Sequence, residues 1–83
     1  VTVQILYFAW LRERIGIGRE DVETNAATVA DLIAQLRARE DRYDTAFSDM
    51  SAVRCAVDQV LVDLDASLAG AREVAFFPPM TGG

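Results

Sequence analysis

The chain has 83 residues, with no histidine, no lysine and one cysteine. Each absence removes a class of function. Without histidine, the commonest general base and metal ligand is missing. Without lysine there is no Schiff-base chemistry and no P-loop cation, and the chain cannot accept an isopeptide on its own side chains. All 8 cations are arginine. One cysteine allows no internal disulfide, no thiol metal cluster and no secreted disulfide scaffold. No apolar run approaches the roughly 18 residues of a membrane span, and no signal peptide pattern is visible. The expected compartment is therefore the cytoplasm. A net charge of −5 and a pI near 4.4 come without any basic stripe, which argues against nucleic acid as a partner. Such a chain is poorly equipped to catalyse alone, and a partner must supply the cations, the bases and any nucleotide site.

What is present is enough for one small domain. The hydrophobic fraction of 52% argues against disorder. Residues Val1 to Ala9 alternate as a strand, with Val1, Val3, Ile5 and Tyr7 on one side and Thr2, Gln4, Leu6 and Phe8 on the other. The polar start of the second set marks it as the outward face. A short helical turn over Trp10 to Ile15 is closed by Gly16 and Gly18. Arg19 to Thr24 reads as a charged edge strand. Thr28 is an N-cap with Asp31 three residues on, and Val29, Leu32, Ile33 and Leu36 form the apolar stripe of a helix ending near Glu40. Tyr43 and Phe47 continue the apolar contact through a second short turn. Val53 to Val57 and Val60 to Val62 read as strands around a turn at Asp58 and Gln59. Asp65 to Ala69 is a turn or short helix. Val74 to Phe77 is a last strand, stopped by Pro78 and Pro79. This order predicts an α+β fold, a mixed sheet with a helix packed across one face. The ubiquitin-like β-grasp is one such fold. The predicted division is a body over residues 1–77 and an extended tail over 78–83.

The tail reads Phe76-Phe77-Pro78-Pro79-Met80-Thr81-Gly82-Gly83. Terminal Gly-Gly arises by chance in about 0.5% of chains. One reading is a frayed end. The other is a tail shaped for a narrow tunnel: the prolines stiffen it, six residues at about 3.1 Å each reach roughly 19 Å, and the glycines carry no Cβ to obstruct passage. The group so delivered is the Gly83 carboxylate, which can be activated as an acyl-adenylate and then attacked by a nucleophile.

Parity selects three large apolar side chains on the solvent side of three strands: Phe8, Leu61 and Phe77. Together they predict one exposed patch for docking. Cys55 falls on an inward parity and reads as a buried structural thiol. Glu20, Asp21 and Glu23 read as a solvated strand face, because nothing nearby completes a metal-ligand set. Trp10 reads as a packing anchor, and Asp63 and Asp65 as turn residues.

The tail, with Phe8-Ala9-Trp10-Leu11-Arg12-Glu13 and Ala56-Val57-Asp58-Gln59, resembles the molybdopterin synthase small-subunit family of ubiquitin-like sulfur carriers over nearly the whole chain. Two positions depart from that family's pattern. Gly70-Ala71-Arg72-Glu73 stands where Gly-Asp-Glu is usual, and Asp58 stands where Asn is common. The resemblance implies a β-grasp fold and a cytoplasmic protein that acts only as a subunit of a sulfurtransferase. An ATP-using, ubiquitin-activating-like adenylyltransferase would adenylate Gly83, and a sulfur donor would convert it to a thiocarboxylate. Gly83, with Gly82, would then give sulfur to cyclic pyranopterin monophosphate in the large subunit's active site, within a heterotetramer. It implies partner contacts at Phe8, Arg12, Leu61, Phe77, Pro78, Pro79, Met80 and Thr81; Arg12 reads equally as a solvated arginine. No metal or bound cofactor is expected in this chain, and ATP belongs to the activating partner. A thiamine-type sulfur carrier or a ubiquitin-like protein modifier would use the same activated tail. A binding module with an inert tail is the remaining alternative.

Overall fold

The computed structural model describes residues 1–79. The chain runs β1 (Thr2–Tyr7), α1 (Ala9–Ile15), β2 (Arg19–Glu23), α2 (Val29–Arg39), α3 (Asp41–Ala46), a 3₁₀ turn (Met50–Ala52), β3 (Arg54–Val57), β4 (Val60–Val62) and β5 (Glu73–Phe77). The five strands form one mixed sheet in the order β2-β1-β5-β3-β4. The last strand therefore lies at its centre, parallel to β1 and antiparallel to β3.

Local sequence accounts for most element ends. Gly16 closes α1 in the left-handed region at φ 94°, and its N–H donates to the Arg12 carbonyl. Thr28 caps α2 by accepting from the Asp31 N–H at 3.2 Å. The loop between β4 and β5 also reaches this helix start. Its Leu64 and Ala66 carbonyls accept from the N–H groups of Ala30 and Val29, and Ser67 bridges to Thr28. The expected turn over residues 65–69 is thus a second cap on α2 rather than a helix of its own. The second short turn is a full element, the six-residue helix α3.

Alternation along the strands sends Val3, Ile5, Tyr7, Val22, Cys55, Val74 and Phe76 to the inner face. There they meet Val29, Leu32, Ile33 and Leu36 of α2 and Leu11 and Ile15 of α1. The heaviest packing is aromatic. Phe76 stacks on Tyr7 at 6.2 Å and meets Phe47 edge-on at 5.1 Å, while Tyr7 also contacts Tyr43 at 6.3 Å.

One acidic residue belongs to this core network rather than to a solvated strand face. Glu20 is half-buried, and its Oε2 accepts from the hydroxyls of Tyr7 at 2.8 Å and Tyr43 at 2.6 Å. Arg39 donates to its Oε1 at 3.2 Å. The reason is positional: Glu20 pairs with Ile5 on β2, so its carboxylate reaches under the sheet edge to the tyrosine hydroxyls. Burial raises the Glu20 pKa, but donation from Tyr43, Tyr7 and Arg39 outweighs it and holds the carboxyl below its ordinary range. Burial and the same carboxylate push both tyrosines up, Tyr43 to about 12.

The signs define a stability plateau. Glu20 contributes above its ordinary pKa of 4.5, and that contribution is lost as pH falls through the lower folded value. Tyr43 contributes below its ordinary value of 10.0, and that contribution is lost as pH rises toward about 12. Urea unfolding across pH is expected to show both flanks. Glu20→Gln should flatten the acid flank; an unchanged acid flank in that variant would remove Glu20 as its cause.

Candidate functional site

The outer face of the sheet carries the site. Strand registers arrange it in rows. Arg19, Leu6, Ala75, Ala56 and Leu61 form one row across all five strands. Phe77 and Arg54 are partners in the next row toward the C-terminal end of β5. Phe8 joins them, one step beyond the Tyr7–Phe76 pair, with its N–H donating to the Phe76 carbonyl at 3.0 Å. On the other side of the apolar row lie Asp21, Gln4 and Glu73.

Phe8 is 48% exposed and Leu61 68%. Phe77 is half-buried, because it sits between Phe8 and Arg54 instead of at an edge. The three residues expected from parity thus share one face, and Leu6, Ala75 and Ala56 fill the space between them. Leu6 could be placed outward from its parity. Ala75 and Ala56 are too small to signal a surface by themselves, and only the register connects them. Val60 is 62% exposed as well, since β4 is a three-residue edge strand at the sheet margin.

Pro78 and Pro79 follow directly from β5 and are half-buried. The expected functional residues Met80, Thr81, Gly82 and Gly83 lie outside the described residues. Arg12 stands on α1, one turn beyond Phe8. Its side chain lies against Gly18, where an added Cβ would come within 3.2 Å of Nε. It makes no ion pair among the described residues.

The two departures from the family pattern meet each other. Asp58 and Gln59 form the β3–β4 turn with φ of 48° and 70°, the left-handed pair of a type I′ hairpin. The Asp58 Oδ1 accepts from the N–H groups of Arg72 at 3.0 Å and Glu73 at 2.9 Å, and its own N–H donates to the Glu73 carbonyl at 2.9 Å. The turn therefore holds the entry of β5, the strand that leads to the tail. Asparagine offers the same acceptor oxygen, which explains why either residue serves. Asp58→Ala is expected to cost about 1–2 kcal/mol in urea unfolding, and Asp58→Asn less. Equal losses in the two variants would show that the clamp is not the cause.

No group of three or more metal-ligating side chains occurs among the described residues. Cys55 is buried on the inner side and donates to the Val62 carbonyl at 3.4 Å. Burial, then the charge of Asp63, raises its thiol pKa, which makes it a poor nucleophile. Trp10 packs against the core under Arg14, whose guanidinium lies 5.0 Å from the ring centroid. Among the described residues, no helix is long and apolar enough to cross a membrane.

A β-grasp body, an apolar sheet face and a Gly-Gly tail continuing from the central strand define a ubiquitin-like carrier architecture. Residues 5–83 match the ThiS family, and the chain belongs to it. It is 40% identical over 81 residues to the molybdopterin synthase sulfur carrier subunit of Escherichia coli (strain K12), covering 98% of this chain and 99% of that one. Among solved structures it is similar to the putative molybdopterin converting factor, subunit 1 from Pyrococcus furiosus, with a TM-score of 0.72, 28% identity and coverage of 96% and 99%. The same fold occurs in a complex of subunits 1 and 2 of the molybdopterin-converting factor from Helicobacter pylori 26695, with a TM-score of 0.64, 21% identity and full coverage of both chains.

Outer-face and inner-face residues should respond differently to truncation. Leu61→Ser is expected to change unfolding free energy by no more than about 0.5 kcal/mol, whereas Phe76→Ala should cost about 3–5 kcal/mol. Urea denaturation checks both. A large loss from Leu61→Ser would mean that the face is part of the core.

Proposed function

We propose that this chain is the sulfur-carrier subunit of a molybdopterin synthase. The observation that carries the reading is the Gly82-Gly83 tail, which continues from the central strand beside an uncovered apolar sheet face. The name of the Escherichia coli relative supports it, at an identity that spans nearly both chains.

The chemistry follows from what the chain has and lacks. The Gly83 carboxylate attacks the α-phosphate of ATP on an adenylyltransferase, forming the acyl-adenylate and releasing pyrophosphate. Sulfide released by a sulfur donor then attacks the acyl carbon, the acyl–phosphate bond breaks, AMP leaves, and a thiocarboxylate remains. Inside the large subunit the thiocarboxylate sulfur bonds to a side-chain carbon of cyclic pyranopterin monophosphate as an oxygen substituent leaves, and water then hydrolyses the acyl–sulfur bond, returning Gly83 to a carboxylate. Two such transfers complete the dithiolene of molybdopterin. The substrate's phosphate needs cations, and a chain of net charge −5 without lysine leaves that task to the large subunit. The same division makes this chain a subunit of the enzyme and no catalyst alone. It binds no cofactor itself; ATP belongs to the activating partner. The Helicobacter pylori complex supports a large-subunit partner, and two carriers at opposite ends of a large-subunit dimer complete the proposed heterotetramer. The proposed compartment is the cytoplasm.

Intact mass tests the reading. Co-expression with the activating enzyme and a sulfur source is expected to yield a species heavier by the difference between sulfur and oxygen, localised to Gly83. An unchanged mass with a working activating enzyme would overturn it, and adducts on cellular proteins would mark a modifier instead. Deletion of Gly83 should abolish sulfur transfer while leaving Tm unchanged, because Phe76 is the last core residue among the described residues. Retained transfer in that deletion would also overturn the reading.

A further inference from the structure

Most arginines outside the outer face are already engaged. Arg37 pairs with Asp44, Arg39 with Glu20 and Arg42 with Glu40, and Arg14 lies over Trp10. The outer face carries two that make no ion pair among the described residues, Arg19 and Arg54. Their positions differ. Arg19 is on β2, at the margin of the sheet, where a guanidinium stays in water when the face is covered. Arg54 is on β3, with Phe77 of β5 as its partner on one side and β4, which carries Leu61, on the other. Leu61 pairs with Ala56, one row away, so a surface that spans Phe77 and Leu61 runs alongside Arg54 on β3.

Arg54 is also held ready. Its Nη1 donates to the Val53 carbonyl at 3.1 Å and the Ser51 carbonyl at 3.3 Å. Both acceptors are neutral, and both use the same nitrogen. The Nε and Nη2 edge keeps its donors free of protein acceptors among the described residues. That edge has the fork geometry that grips a carboxylate through two parallel hydrogen bonds. Asp63, the next position across β4, makes no ion pair with it. An unpaired guanidinium taken out of water beneath an apolar surface is strongly unfavourable.

We propose that Arg54 is a specificity residue of the docking face, and that the partner seated on this face presents an Asp or Glu carboxylate to its Nε–Nη2 edge. The inference rests on the sulfur-carrier reading, in which that partner is the large subunit. The partner's surface is then apolar opposite Leu6, Phe8, Phe77 and Leu61, with one acid placed beside the root of the tail. Position 54 discriminates between large subunits that carry this acid and those that do not, because an apolar residue opposite it would leave the guanidinium buried and unpaired.

The test is calorimetric binding of the large subunit from the same organism to the full chain and to Arg54→Lys, Arg54→Leu and Arg54→Glu, with thermal unfolding of each as a folding control. Arg54→Leu is expected to weaken binding by about tenfold or more, and Arg54→Glu by about a hundredfold. Arg54→Lys, which keeps the charge but not the fork, should fall between the full chain and Arg54→Leu. An acid-to-arginine change at one position of the partner's apolar surface should restore binding to Arg54→Glu. Binding of Arg54→Leu as tight as that of the full chain overturns the inference, and so does a complete scan of partner acids that finds no restoring change. Absence of binding by the unmodified chain overturns the large-subunit reading itself, a separate outcome.

Discussion

The parallel pairing of β1 with β5 at the centre of the sheet is the constraint on which the rest depends. It places the last strand of the chain between the first strand and β3, with Phe76 enclosed by Tyr7 and Phe47. A chain end is ordinarily the part of a domain most prone to fray. Here the described chain stays in the most heavily packed strand until Phe77, and Pro78 follows at once. The root of the tail is thus anchored by the same burial that stabilises the domain. The Glu20 carboxylate reinforces this anchor by joining the hydroxyls of Tyr7 and Tyr43 beneath β1, and the Asp58 clamp fixes the other end of β5.

That arrangement leaves the sheet with two different faces. Three helices cover the inner one. The outer one carries apolar side chains of unequal size in a continuous row from β1 to β4, with acids toward the start of β5 and arginine toward its end. Under the proposed function, docking and delivery are coupled through this geometry. A partner that covered Phe8, Phe77 and Leu61, as proposed, would sit beside the point where Pro78 follows β5.

The division of labour between chain and partners follows from composition. Under the proposed function, a body with no histidine, no lysine and a buried thiol of raised pKa leaves the acid–base work to its partners. What it offers is a shape and a carboxylate. On the same proposal, an acidic body would be attracted to a partner whose active site carries cations for a phosphorylated substrate. Arg54, one of two outer-face arginines that make no ion pair among the described residues, is the one placed inside the face, where a cation is well suited to define register on the partner.

Strand alternation, the Thr28 cap, the Gly16 stop and the 29/32/33/36 stripe were legible in the sequence because each depends on residues a few positions apart. The tail and the outward parity of Phe8 and Leu61 were legible for the same reason. The role of Glu20 was not, since its partners lie 13, 19 and 23 residues away and one-dimensional charge reads as solvation. The half-burial of Phe77, the joining of Ala75 and Ala56 into the face, and the meeting of Asp58 with Arg72 and Glu73 depend on which strands become neighbours. Sequence by itself determined the elements, the inward and outward sets and the chemistry of the chain end, because local periodicity and covalent order suffice for these. Only the tertiary structure decided which outward residues lie side by side and which arginine stands inside the face, because strand order and register are set by packing of the whole core at once.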